Sequence, residues 1–232
     1  MNWSTSFSIR TVSMFIILLI VICGNHHVSV HADPLLPEWL EDGYHIIVFP
    51  HHHRLVVLQQ GQTMKSYHVA VGNPSTPTPV GEYHINFKGE NWGPSFGPRW
   101  LGLNVPWGNY GIHGTNKPYS IGQHLSHGCI RMRNRDIMEL YSMIPVGTRV
   151  TIVGHLLGDL NQEPRDLAEG DIGGDVQLVQ SRLMNAGYYQ GVCDGKFRAS
   201  TTKALKRFQQ DQHLKVNGVI SRQVYIALGL LE

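Results

Sequence analysis

Cys129 lies between a glycine and an isoleucine-arginine pair in the run Ser126-His127-Gly128-Cys129-Ile130-Arg131. His113 stands sixteen residues earlier, followed by Gly114 and Thr115. A thiol has a pKa of about 8.5, so only a few per cent is thiolate at neutral pH. A neighbouring imidazole can take the proton and hold it as an ion pair, which turns a weak nucleophile into a strong one. Two histidines compete for that role. His127 is two positions away and points the same way as Cys129 if the segment is extended. His113 can approach from across the site, and we favour it as the general base. A backbone carbonyl at Gly114 or Thr115 can hold its tautomer, in place of the carboxylate of a Ser-His-Asp arrangement. The amides of Gly128 and Cys129 are candidate donors to a tetrahedral oxyanion, each worth about 3 kcal/mol in such sites. Arg131 offers a fixed positive charge to a carboxylate.

Other readings of these side chains are open. A lone cysteine is more often a small buried hydrophobe than a nucleophile. Ser126 is a second hydroxyl nucleophile candidate, but no lysine sits at a convincing spacing to activate it. His113, His127 and Cys129 could hold zinc, yet no Cys-x-x-Cys or His-Glu-x-x-His pattern accompanies them, so no metal and no cofactor is expected. His51-His52-His53 read as a solvated turn.

The elements that must position these residues are mostly strands. Tyr44–Phe49 and Arg54–Gln59 are β-branched runs around a turn at 50–53 and predict a hairpin. Thr63–Val71, Glu82–Lys88, Trp100–Val105, Asn109–His113 and Thr148–Val153 predict further strands. The Pro-rich stretch 73–81 and the Gly/Pro/Trp stretch 89–98 predict loops. Asn134 is placed to cap a helix over Arg135–Ile144, with Ile137, Leu140 and Ile144 on one face. Composition shifts at Gly154. Beyond it, helical spacing predicts three short helices, the second capped by Ser200 or Thr201 and the third by Ser221. The fold class expected is mainly antiparallel β with one main helix, followed by a small three-helix bundle. The latter is near the lower size limit for a stable core, which favours recognition over catalysis.

At 42% apolar and 16% charged residues the chain can build a core. A formal charge of +2 without a basic cluster argues against nucleic acid. Arg10, the apolar run Met14–Cys23 and Val30-His31-Ala32 predict a secretory signal peptide over residues 1–32; an uncleaved signal anchor is the alternative and the only route to a membrane. Cys129 and Cys193 then remain, in separate domains and unpaired.

His113-Gly114-Thr115, Ser120-Ile121-Gly122 and Ser126–Met132 together resemble the YkuD-type L,D-transpeptidases, as does the Thr-Pro-x-Gly segment within 75–83. The resemblance covers roughly Tyr44 to Gly154. It implies a β fold with the cysteine in a pocket under a loop. It implies that Cys129 attacks the L-centre carbonyl of an L-Lys- or diaminopimelate-D-Ala bond in a peptidoglycan tetrapeptide stem. D-Ala leaves, and the acyl group passes to an amine of a second stem as a 3→3 cross-link. His113 is then the base, while Ser126, His127, Gly128, Gly114 and Arg131 build the site. Residues from about Gly170 to Leu230, including Asp194-Gly195-Lys196-Phe197, resemble the three-helix peptidoglycan-binding domain, although Arg198 and Asn217 stand where glycine and aspartate are frequent. The organisation expected is signal peptide 1–32, catalytic domain 43–154, linker 155–169 and binding domain 170–232. The expected partners are stem peptides and glycan strands in the wall outside the cytoplasm. L,D-carboxypeptidase action, with water as acceptor, and a non-catalytic wall-binding protein are the alternatives.

Overall fold

The computed structural model describes residues 43–158 and 163–232. The signal-peptide reading over 1–32 lies outside the described residues. Among the described residues no helix is long and apolar enough to cross a membrane.

Ten strands and one helix build the first region: β1 (Tyr44–Phe49), β2 (Arg54–Gln59), β3 (Gln62–His68), β4 (Val71–Gly72), β5 (Gly81–Glu90), β6 (Arg99–Leu103), β7 (Tyr110–His113), β8 (His124–Ser126), β9 (Ile130–Arg131), α1 (Asn134–Met143) and β10 (Arg149–Ile152). Eight strands form one sheet in the order β3-β2-β1-β10-β5-β6-β7-β9. Alternation explains its inner face. Ile46 pairs with Val57 and Val48 with Leu55 across the β1–β2 hairpin, and all four are fully buried. Five of the pairings are antiparallel, but β1–β10 and β7–β9 are parallel. The sheet is therefore mixed, because both parallel partners come from strands far apart along the chain or joined by a long loop.

α1 packs on β6 and β7 through buried Ile137 and Leu140. Its end is closed by Lys88 Nζ, which donates to the carbonyls of Tyr141 and Ile144. A cation there satisfies orphan carbonyls and suits the helix dipole. The helix starts one residue earlier than the sequence suggests, and Asn134 does not cap it. Its Oδ1 accepts instead from the Thr115 N–H at 2.8 Å, which ties the helix start to the loop after His113.

The C-terminal region is helical, with α2 (Gly174–Asn185), α3 (Ala199–Asp211) and α4 (Arg222–Ala227). Val176, Val179, Leu183, Phe197, Leu205, Phe208 and Tyr225 belong to its own apolar core. Neither Ser200 nor Thr201 caps α3, whose first residue follows Arg198. Ser221 does stand at the cap position of α4, without a side-chain bond. Thr201 is buried and receives a hydrogen bond from Gln180 Nε2. Gln180 also accepts from the Gly195 N–H at 2.9 Å and donates to the Lys196 carbonyl at 3.0 Å. One buried amide thus satisfies loop groups that the single Ile172–Lys196 bridge leaves over. We expect Gln180→Leu to leave two backbone groups unpaired and to destabilise this region by about 2–4 kcal/mol, as read by urea unfolding.

Candidate active site

The parallel pair β7–β9 sets the site. Its register places Ile112 opposite Ile130 and His113 opposite Arg131. Both isoleucines are fully buried in the core. Paired residues point to the same side, and successive residues alternate. His113 and Arg131 therefore face away from that core. Cys129 lies two residues before Arg131, whose charge acts on both His113 and Cys129. Cys129 Sγ lies 3.9 Å from the Asn109 carbonyl, just before β7.

The loop that presents Cys129 is held from within. Ser126 is fully buried. Its hydroxyl donates to the Cys129 carbonyl at 2.6 Å and accepts from the Gly128 N–H at 3.1 Å. The Gly128 amide is thus engaged and not directed at a ligand. Gly128 has φ 106°, a region that favours glycine. A Cβ there would sit 2.6 Å from the Tyr110 ring. Glycine at this position makes room for a protein ring, a reason the sequence does not display. We expect Ser126→Ala to cost about 1–3 kcal/mol in unfolding free energy, because it orphans a buried N–H and a carbonyl together. Differential scanning calorimetry of the full chain reads this directly.

His113 is nearly inaccessible to water. Its Nδ1 lies 2.5 Å from the Gly114 carbonyl oxygen. With the proton on Nδ1, as that acceptor requires, Nε2 is the unprotonated ring nitrogen. The peptide that carries the Gly114 carbonyl is held by Asn134, which accepts from the Thr115 N–H, and a Cβ on Gly114 would meet the Asn134 Oδ1 at 2.4 Å. The ring itself is wedged by aromatics. Phe96 meets it edge-on at 5.1 Å between centroids, and Trp100 stacks on it at 5.1 Å with 12° between planes.

Burial pushes the His113 pKa down from 6.5 to about 4. The Gly114 and Phe96 carbonyls push back, while Arg131 pushes it further down. Burial pushes the Cys129 thiol up, opposed by the Gly111 backbone and Arg131. Both shifts favour a neutral thiol and a neutral imidazole at rest. Desolvation opposes the preformed ion pair that the sequence suggests, because it penalises both charged forms.

Of the site residues expected from sequence, His113, Gly114, Ser126, Gly128, Cys129 and Arg131 surround the β7–β9 pair. Arg131 Nη1 donates to the Leu125 carbonyl at 3.0 Å. His127 is exposed to solvent. Asn134, Trp100, Phe96 and Tyr110 were not singled out for the site, though Trp100 and His113 are direct cross-strand partners. Among the described residues no three His, Cys, Asp or Glu side chains gather as a metal-holding group. Cys129 and Cys193 are both free thiols.

Comparison with known proteins places this geometry. Residues 43–152 match the family model of the L,D-transpeptidase catalytic domain, and residues 172–228 match that of a peptidoglycan binding domain. A Bacillus subtilis relative named L,D-transpeptidase YkuD is 47% identical over 119 residues, which cover 51% of this chain and 71% of that protein. The chain belongs to the YkuD-type L,D-transpeptidase family. A second Bacillus subtilis member of the family, named L,D-transpeptidase YqjB, is 37% identical over 136 residues, covering 51% of this chain and 76% of its own. The solution structure of the catalytic domain from an Enterococcus faecium L,D-transpeptidase aligns with a TM-score of 0.42 at 24% identity, over 48% of this chain and 98% of that one.

Proposed function

We propose that the chain is a secreted cysteine acyltransferase that cross-links peptidoglycan stem peptides. Cys129 Sγ attacks the carbonyl of the L-residue in the L–D bond of a tetrapeptide stem. Its proton passes to His113 Nε2, which the Nδ1–Gly114 contact leaves unprotonated. The Cys129 N–H stabilises the developing oxyanion, since the Gly128 N–H is taken by Ser126. The C–N bond breaks, His113 returns the proton to the departing amine, and D-Ala leaves. The thioester is then attacked by the amine of a second stem, with His113 again as base, giving a 3→3 link. Arg131 holds a carboxylate of the donor stem.

One arrangement carries this function: His113 and Arg131 paired across parallel strands directly after Cys129, with the imidazole locked by a carbonyl and the Arg131 charge acting on both the imidazole and the thiol. Family membership supports the reaction class. Residues 43–154 form the catalytic domain, 155–169 the linker and 170–232 a three-helix module that holds the enzyme on the wall. The matched segments 43–152 and 172–228 support those limits, and wall substrate supports export through the 1–32 signal.

The test is product analysis. Full-length protein incubated with disaccharide-tetrapeptide should release D-Ala and yield 3→3-linked dimers by mass spectrometry. D-Ala release with only tripeptide monomers would make water the acceptor and overturn the transfer. Release of no D-Ala would overturn the reaction class.

A further inference from the structure

Four rings stack across β5, β6 and β7 and end on the His113 imidazole. Phe87 stacks with Trp92 at 5.3 Å, and Trp92 with Trp100 at 4.9 Å and 14°. Trp100 then stacks with His113 at 5.1 Å and 12°. Glycines make the column possible. A Cβ on Gly102 would lie 2.3 Å from the Phe87 ring, one on Gly89 2.7 Å from the Trp92 indole, and one on Gly111 2.5 Å from the Trp100 indole. Phe96 closes the side of the column, edge-on to both Trp100 and His113.

Trp100 is 3% exposed, yet its indole N–H has no hydrogen-bond partner. Buried tryptophans usually find one. Nothing polar holds this ring; stacking alone sets its orientation. Packing could be served by a leucine or phenylalanine that carries no donor. What tryptophan adds is the strongest negative π-face among side chains, turned toward the imidazole.

That face meets a chemical need. When Cys129 gives up its proton, His113 becomes an imidazolium in a water-poor site. Its Nδ1 partner is a carbonyl, not a carboxylate. The Arg131 charge opposes protonation.

We propose that Trp100 is a positioning residue of the reaction: its indole fixes the plane of the His113 imidazole and stabilises the imidazolium formed as Cys129 is deprotonated. The proposal rests on the assignment of Cys129 and His113 above. Trp92, stacked on Trp100 and half-exposed, backs the indole from the far side.

The experiment follows alkylation of Cys129 by iodoacetamide in the full chain, read by peptide mass spectrometry from pH 4 to 9. Cys193, a free thiol in the helical region, is the internal control. Trp100→Leu should slow Cys129 alkylation at pH 7 by roughly tenfold to thirtyfold, as expected for a desolvated cation–π contact. It should move the acid limb of the rate profile, which His113 sets, to lower pH and leave Cys193 unchanged. Trp100→Phe should recover part of the rate. Because the Leu variant removes a buried ring, mono-, di- and trifluorotryptophan at position 100 decide between packing and charge. They keep the ring's shape and weaken its negative face, so the Cys129 rate should fall stepwise with each fluorine. A rate indifferent to fluorine, in protein with an unaltered circular dichroism spectrum, overturns the proposal. If wild-type Cys129 reacts no faster than Cys193 at pH 7, the nucleophile assignment itself fails, and the proposal with it.

Discussion

Cys129→Ser is expected to lose D-Ala release by at least roughly 10⁴-fold while keeping its fold. The loss follows from the base. In the proposed reaction a neutral imidazole takes a proton from a thiol, and a hydroxyl is far less acidic. Retention of the fold follows from how the loop is built. Ser126 bonds the backbone of Cys129 and Gly128, and the strand pair is closed by the Met132 N–H to the His113 carbonyl at 2.8 Å. The Sγ atom itself makes only weak contacts, a long one to the Asn109 carbonyl and one to the Gly111 backbone. Initial rates on disaccharide-tetrapeptide, with melting curves alongside, check both halves. A serine variant that kept a tenth of the wild-type rate would remove Cys129 from the chemistry.

His113→Gln is expected to slow acylation by roughly 10²–10⁴-fold, the usual worth of a general base. Glutamine fills similar space but cannot shuttle a proton. The pH dependence separates this from a packing defect. The wild-type base has a pKa of about 4, so acylation should hold through pH 5–7 and fall only as pH drops through about 4. The same group affects stability. Folded His113 binds its proton less readily than the unfolded chain does. Its contribution to stability is complete above about pH 6.5 and is lost as pH falls through about 4. Urea titrations between pH 7 and 4 should show a shallower loss in His113→Gln than in the wild type. An equal slope in both would mean that His113 is not held neutral by burial.

Much of this site was legible because its chemistry is local. The order His113, Ser126, Gly128, Cys129, Arg131 is a short sequence pattern, and the β-branched alternation of 44–49 and 54–59 marks a hairpin directly. What was not legible depends on pairings between distant residues. The parallel neighbours β1–β10 and β7–β9 have no turn to announce them. Asn134 carries the composition of a helix cap, but a better acceptor site, the Thr115 N–H, lies nineteen residues back in the chain. Gly128 reads as an oxyanion donor until its N–H is seen to go to Ser126 and the Tyr110 ring to lie against it. The neutrality of the thiol–imidazole pair is a matter of burial, which a motif does not encode. Gln180 sits among helical polar positions and gives no sign that it is buried and serves a loop.

The central claim is a covalent bond to one sulfur atom. The most direct measurement is the intact mass of the full chain mixed with tetrapeptide stem in the absence of an amine acceptor, followed by peptide mapping. The mass should rise by that of the tripeptide acyl group, with the adduct on Cys129 and none in Cys129→Ala. D-Ala release without any adduct, or an adduct on another residue such as Ser126, would contradict it.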